Sequence, residues 1–242
     1  MKAIYEPTGK AREFGDLACN LYKGCSHGCN YCYATGVLRM SKEDFSKPEP
    51  RKGVLEQLEK DAAKHEGSRI PIFLCFTSDP YQIIETEHNI TREALLILQK
   101  HGCAINVLTK GGTRACKDFD ILASDPGNWF GTTLTYASYH QSFTNEPLAR
   151  SPQNRIHAIY NAKKSDINTW VSLEPIISKA EALSLIKDTL EFVDLYKIGK
   201  MNHRTGISEA ELRSFLAEAV NLLDKNKKKY YIKLDTRPFL GI

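Results

Sequence analysis

The feature that most constrains the fold of this chain is an alternation. Short apolar runs rich in β-branched and aromatic residues take turns with longer stretches of helical periodicity. Ala18–Tyr22, Pro71–Phe76, Ala104–Leu108, Trp129–Leu134, Thr169–Leu173, Val193–Ile198 and Tyr230–Leu234 read as strands. Gly53–Lys64, Thr91–Lys100, Arg114–Ala123 and a stretch from Pro152 to Ala162 read as helices between them. Ser151 before Pro152 is an N-cap and first-turn pair. Ser178 with Glu181, and Ser208 with Glu211, have capping-box spacing and open two further helices, the second running to about Lys225. Strands separated by helices are βα units, and βα units build a parallel sheet. Six or seven of them predict a barrel or partial barrel. A Rossmann fold is disfavoured, because no G-x-G-x-x-G follows the first strand.

An α/β barrel places its active site at the C-terminal ends of its strands. The polar residues leaving successive strands are therefore candidates. They are Thr77, Ser78 and Asp79; Thr109 and Lys110; Thr133 and Thr135; Glu174; Lys200 and Asn202; and Asp235 and Arg237. His203 and Arg204, after the sixth strand, are candidate substrate contacts or solvated loop residues.

The first strand exits into G-C-S-H-G-C-N-Y-C-Y-A, where Cys25, Cys29 and Cys32 form a C-x3-C-x2-C cluster. Three thiolates this close can hold three irons of a 4Fe–4S cluster. Such clusters normally take four Cys, so a three-Cys site leaves one iron open to another ligand. Gly24 and Gly28 allow a tight loop around the metal. Structural zinc is the alternative, with His27 as fourth ligand, but no second knuckle follows at zinc-finger spacing. A disulfide framework fits poorly with seven cysteines and no signal peptide. Cys19, Cys75, Cys103 and Cys116 read as buried thiols.

Composition excludes little else. Hydrophobic residues make up 42% of the 242, enough for a sizeable core in one domain spanning 1–242, and no apolar run is long enough to cross a membrane. Free or iron-bound thiols fit a reducing cytoplasm. The formal charge of +4 permits nucleic-acid binding without requiring it. The basic run Lys225, Lys227, Lys228 and Lys229 falls at a helix end, where cations complement the dipole.

With these residues in view, the chain resembles the radical S-adenosylmethionine (SAM) superfamily, and within it the spore photoproduct lyase-like branch. The resemblance rests on N-L-Y-K-G-C-S-H-G-C-N-Y-C-Y-A at Asn20–Ala34, T-S-D-P-Y at Thr77–Tyr81, T-K at Thr109–Lys110, and E-P-L-A-R-S-P-Q-N-R-I at Glu146–Ile156. It implies an α/β fold, a partial (β/α)6 barrel of the radical SAM type with an additional C-terminal strand. It implies two cofactors, a 4Fe–4S cluster on Cys25, Cys29 and Cys32 and SAM bound at its open iron. Thr77, Ser78 and Asp79 match the position that receives the SAM amino group. Lys110 matches the lysine that reaches the SAM carboxylate, Thr133 or Thr135 a hydroxyl near the same end, and Tyr31 a residue beside the adenine. The implied activity is reductive cleavage of SAM to a 5′-deoxyadenosyl radical, which abstracts hydrogen from a substrate. The implied partner is an external one-electron reductant, flavodoxin or ferredoxin. Lineage favours a nucleic-acid substrate and leaves a nucleoside, peptide or small metabolite open.

One departure from that branch stands out. In spore photoproduct lyase the hydrogen-donating cysteine directly precedes T-S-D, and here that residue is Phe76. Cys75 is one residue further back, and strand alternation predicts that it faces the other way, into the wall. Repair of spore photoproduct is therefore not expected. The reading from a different class is an iron–sulfur protein that binds nucleic acid without radical chemistry. It would not need SAM-contacting groups at successive strand ends.

Overall fold

The structure is a computed structural model and describes residues 2–201 and 206–241. The candidate residues Asn202, His203 and Arg204 lie outside the described residues. The strands are β1 (Ile4–Tyr5), β2 (Leu17–Cys19), β3 (Tyr22–Lys23), β4 (Glu49–Pro50), β5 (Ile72–Leu74), β6 (Ile105–Thr109), β7 (Trp129–Thr133), β8 (Asn168–Ile176), β9 (Leu195–Lys200) and β10 (Lys229–Ile232). Eight of them form one sheet in the order β1-β2-β5-β6-β7-β8-β9-β10. Every neighbouring pair from β2 to β10 is parallel, while β1 pairs antiparallel with β2 at the edge. The sheet does not close into a barrel, and β3 and β4 form a separate small ribbon. The expected partial barrel with an additional C-terminal strand is what the chain adopts.

Two apolar layers follow from strand alternation. Ile72, Leu74, Ile105 and Val107 point outward and pack with Leu95, Leu98, Ile159 and Phe215 of the surrounding helices. Ala18, Phe73 and Trp170 point inward, joined by Phe14, Phe76 and Leu108. Phe73 stacks on Phe76 with ring centroids 4.3 Å apart. The Trp170 indole donates to Asn106 Oδ1 at 2.8 Å, satisfying its buried N–H. Its ring lies over Gly131, where a Cβ would come within 2.3 Å, so only glycine fits at that point of β7.

The principal helices are Val54–Ala62, Ile90–Lys100, Pro152–Lys164, Lys179–Thr189 and Glu209–Lys225. Ser151, Ser178 and Ser208 each accept a hydrogen bond from the backbone N–H three residues on. The capping-box glutamates do something else. Glu181 accepts from the Ala137 N–H at 2.7 Å, and Glu211 from the Lys179 N–H at 3.4 Å, so each braces a neighbouring segment. The helix expected at Arg114–Ala123 is a 3₁₀ segment, Gly112–Asp118, followed by one α-turn at Phe119–Leu122. The helix Tyr139–Asn145 lies where the sequence carries little apolar periodicity. Among the described residues, no helix is long and apolar enough to cross a membrane.

Candidate functional site

The cysteine loop leaves the sheet after β2 and is held on three sides. The Cys25 N–H donates to Phe45 O at 2.8 Å, and the Ser26 N–H to Gln82 Oε1 at 2.8 Å. The Asn30 N–H donates to Asn145 O at 3.0 Å, and the Leu148 N–H to His27 O at 3.2 Å. Gly24 turns at φ +83°, with Phe45 O only 2.6 Å from where a Cβ would stand. A side chain there meets both the backbone strain and the carbonyl. Cys25, Cys29 and Cys32 are all free and half-buried. Burial pushes the Cys25 thiol well up and Cys29 to about 11, although the Lys110 ammonium pulls Cys29 back. Deprotonating them calls for nearby positive charge, which bound metal supplies. Among the described residues, no three His, Cys, Asp or Glu side chains converge on a point that a single metal ion would occupy.

A second cluster sits at the ends of β6 and β7. Glu146, fully buried, accepts hydrogen bonds from the Tyr31 hydroxyl, from Arg155 Nη2 and from Ser142 Oγ. Lys110 Nζ is 3.9 Å from the same carboxylate and 5.3 Å above the Tyr31 ring. Arg155, also fully buried, donates to Arg150 O at 2.6 Å and to Thr133 O at 3.0 Å. The Tyr31 hydroxyl lies 3.1 Å from Thr135 Oγ1. Tyr31, Lys110, Thr133 and Thr135 are thus gathered around one ion pair, which anchors the cysteine loop to the sheet. Burial works against the Lys110 charge, but Cys29 and Glu146 outweigh it and hold the ammonium above its ordinary value. Burial likewise opposes Glu146 ionisation, and Arg155 and Lys110 overcome it and keep the carboxyl low.

The β5 exit behaves differently. Asn20 Oδ1 accepts from the Phe76 and Thr77 N–H groups, at 2.9 and 3.0 Å, fixing the turn. Asp79 uses both oxygens internally. Oδ1 takes the Thr109 hydroxyl at 2.6 Å and the Tyr81 N–H at 2.9 Å, and Oδ2 takes the Lys110 N–H at 2.7 Å. Asp79 therefore ties β5 to β6 and sets where Lys110 starts. Thr77 Oγ1 is buried with no hydrogen-bond partner, as are Ser26 Oγ and Arg114 Nε, and Ser78 Oγ has none beyond the Cys75 thiol beside it. Native interiors rarely leave such atoms alone, so two hydroxyls free to accept beside the cysteine loop mark a place for a polar ligand. His27, wedged in the loop, sits 3.5 Å from Asp79 Oδ2 and 3.5 Å from Arg114 Nη2, and burial lowers it to about 4.

Cys75 packs in the outer layer and Phe76 in the inner one. The thiol is thus in the wall, as alternation predicted, and burial raises it to about 12. Further along the rim, Lys233 Nζ pairs with Glu174 at 3.0 Å and Lys200 Nζ with Asp235 at 3.9 Å. Sequence reasoning assigned no role to Asn20, Glu146 or Arg155. Glu146 and Arg155 bracket a segment that the sequence does single out, but nothing in their spacing marks them as an internal pair.

No protein-family model matches the chain. An uncharacterized protein of Methanocaldococcus jannaschii is 26% identical over 184 residues, covering 76% of this chain and 69% of that protein. Spore photoproduct lyase complexed with dinucleoside spore photoproduct superposes with a TM-score of 0.71 at 15% identity, over 94% of this chain and 79% of the lyase. Streptococcus suis SuiB bound to S-adenosylmethionine superposes with a TM-score of 0.65 at 10% identity, over 89% of this chain. The chain spans about half the length of SuiB, 45% in that comparison. This chain has the fold of both structures, of the spore photoproduct lyase-like kind.

Proposed function

We propose that the chain is a radical SAM enzyme, with Cys25, Cys29 and Cys32 as ligands of a 4Fe–4S cluster. The observation that carries this reading is the arrangement beside the cysteine loop. Lys110, whose side chain is 16% exposed, and the buried Arg155 bring two positive charges, and the buried Glu146 one negative. With Asp79 set against Arg114, one positive charge is left over, and Thr77 and Ser78 offer two hydroxyls free to accept nearby in sequence to Asp79, which holds Lys110. A part-buried surplus cation favours an anion, and hydroxyl oxygens accept from an ammonium. The amino and carboxylate groups of SAM are such a pair. Because each thiolate of a cluster binds a different iron, the three cysteines need not converge on one point.

In this reading Lys110 holds the SAM carboxylate, and Thr133 or Thr135 supports that end with a hydroxyl. Thr77 and Ser78 take the amino group, with Asp79 orienting them and Lys110 through the backbone. Tyr31 packs by the adenine, its hydroxyl fixed by Glu146. When bound, the cluster and SAM supply the electron transfer and the radical that opens a C–H bond of the substrate. The residues of the chain bind, orient and exclude water. The electron comes from an external carrier such as flavodoxin or ferredoxin.

The substrate class we propose is nucleic acid, on the likeness to a lyase structure that holds a dinucleoside. The lyase reaction itself does not carry over, since Phe76 cannot donate hydrogen as a thiol does and Cys75 faces the outer core. The test is anaerobic reconstitution with iron and sulfide, then SAM and dithionite, with 5′-deoxyadenosine followed by chromatography. Formation of 5′-deoxyadenosine is expected from the wild type and not from Cys29→Ala. A reconstituted cluster that yields none removes the enzyme reading.

A further inference from the structure

The 3₁₀ segment Gly112–Asp118 follows β6 and packs against the helix Pro152–Lys164. It is pinned on both sides of Arg114. The Thr113 N–H donates to Asn154 Oδ1 at 3.0 Å, and the Thr113 hydroxyl accepts from Asn154 Nδ2 at 3.0 Å. Ala115 is buried in the outer layer. Between these anchors the Arg114 side chain reaches to the cysteine loop, where Nη2 lies 3.5 Å from His27 Nε2. The SAM-binding groups proposed above make no use of it.

His27 Nδ1 lies 3.5 Å from Asp79 Oδ2, so Asp79 is the counter-charge of Arg114 across the imidazole rather than by contact. This row runs beside Cys25, whose sulfur takes the His27 N–H and feels the Asp79 carboxylate. Burial holds the guanidinium below its ordinary value, with Arg150 adding to it, against the pull of Asp79 and Cys25. Arg114 Nε is buried and, among the described residues, has no acceptor. Neither has the hydroxyl of Ser26, the residue after Cys25. A buried donor left unpaired is costly, and more so on a charged group. Both donors lie against the ligand loop, where the sulfurs of an iron–sulfur group are acceptors. Net charge and hydrogen bonds to those sulfurs set the potential of such a group.

We propose that Arg114 sets the reduction potential of the group held by Cys25, Cys29 and Cys32, directing its charge and its Nε–H at a sulfur of that group. This role rests on the proposed function and adds what the chain does to the electronic state of the cluster. Reduction adds one electron, and so one negative charge, with no bond of the chain made or broken. A cation facing the group favours the reduced state and raises the potential. Asp79 acts in the opposite sense from the other end of the row, and without Arg114 it stands alone beside the cluster. Lys110 and Arg155, the other cations near the loop, are engaged with Glu146. Arg114 is thus the cation whose free donor is reserved for the cluster.

The test is a potentiometric titration of reconstituted protein without SAM, followed by the paramagnetic signal of the reduced cluster. Arg114→Met removes the charge and the donor. Lys117→Met removes an exposed charge of the same sign from the same segment, where Nζ bonds Asn89 at 2.6 Å. At the wild-type midpoint the ratio of reduced to oxidised cluster is expected to fall about tenfold in Arg114→Met, as loss of a charged hydrogen bond implies. That is a shift of about 59 mV for one electron. In Lys117→Met the ratio should stay within about twofold, because solvent and salt screen an exposed charge. An unchanged or raised midpoint in Arg114→Met overturns the proposal, and so does an equal fall in Lys117→Met. SAM affinity is measured in parallel by equilibrium titration. Affinity lost with the midpoint unmoved assigns Arg114 to the SAM carboxylate and overturns the proposal. If Arg114→Met takes up no iron and sulfide, Arg114→Gln, which drops the charge and keeps a neutral donor, decides by the same midpoint. A wild type that forms no cluster fails the proposed function itself, whereas a cluster whose midpoint ignores residue 114 fails only this role.

Discussion

The buried pair Glu146–Arg155 makes the sharpest prediction. Replacing Arg155 with Met keeps much of the side-chain volume and removes the guanidinium. It strips the Glu146 carboxylate of its ion-pair partner and leaves the Arg150 and Thr133 carbonyls without that donor. What remains on Glu146 is the Tyr31 and Ser142 hydroxyls, with Lys110 Nζ at 3.9 Å. Removing one partner of a buried pair costs about 3–5 kcal/mol. With a urea m-value of about 3 kcal/mol/M, the unfolding midpoint should fall by about 1–1.7 M. The double variant Glu146→Met, Arg155→Met removes both charges and should recover most of that loss, since apolar replacement of a whole buried pair is often neutral. The pH dependence has a definite sign. The folded-state value of Glu146 is depressed, so its stabilisation is present above the unfolded value of about 4.3. It is lost as pH falls through the folded value. The double variant should lack that part of the acid sensitivity. Urea titrations of the wild type, Arg155→Met, Glu146→Met and the double variant at neutral and acid pH decide it. A single-variant shift under about 0.3 M, or a double variant as unstable as the sum of the singles, would refute the reasoning.

Three further outcomes are expected. Alanine at Cys25, Cys29 or Cys32 should abolish the absorption and paramagnetic signature of a reconstituted cluster, whereas alanine at Cys19, Cys103 or Cys116 should leave it. One equivalent of zinc retained with no cluster formed would overturn the assignment. Lys110→Ala should weaken SAM binding by about tenfold or more, as loss of a charge-assisted contact of about 1.5–3 kcal/mol requires, with the cluster signature preserved. Unchanged affinity in an equilibrium titration takes Lys110 out of the site. Cys75→Ala should cost about 1 kcal/mol of stability and leave 5′-deoxyadenosine formation intact, because the thiol belongs to the outer layer. Loss of product in a folded Cys75→Ala protein contradicts that placement.

Much of the sheet was legible because parallel strands buried on both faces write themselves as apolar runs. Ile72–Leu74 and Ile105–Thr109 are such runs; the second is shifted by one residue from Ala104–Leu108, and the first falls inside the expected Pro71–Phe76 and stops two residues early. The strand-exit rule also singled out Lys110, Thr133 and Thr135, which the fold gathers around Glu146, Arg155 and Tyr31. The pair beneath them was not legible. A glutamate and an arginine nine positions apart look like any two surface charges, and only the fold turns both inward. The same holds for Asp79. Sequence marks it as a candidate ligand, yet both its oxygens are consumed in joining two strand ends. The helix at Arg114–Ala123 was expected from periodicity, but its first half is tightened into 3₁₀ turns, beginning at Gly112 with φ +57°.

The open sheet has a seam between its two edges. It is stitched by the segment before β2, not by strand pairing. Glu13 accepts from Tyr231 and from the Leu234 N–H, Lys197 donates to the Glu13 and Phe14 carbonyls, and Lys10 meets Asp235 at 2.5 Å. Phe14 lies between the Lys197 and Lys233 ammonium groups, 5.0 and 4.7 Å from its ring centroid. A ladder opens only by breaking a regular row of bonds, while this closure depends on a few side chains. Breathing of the molecule should therefore start here. Amides of residues 10–14 and 229–234 are expected to exchange with deuterium before those of β6 and β7, so the wall beside Glu174 is the one most able to yield to a bulky substrate.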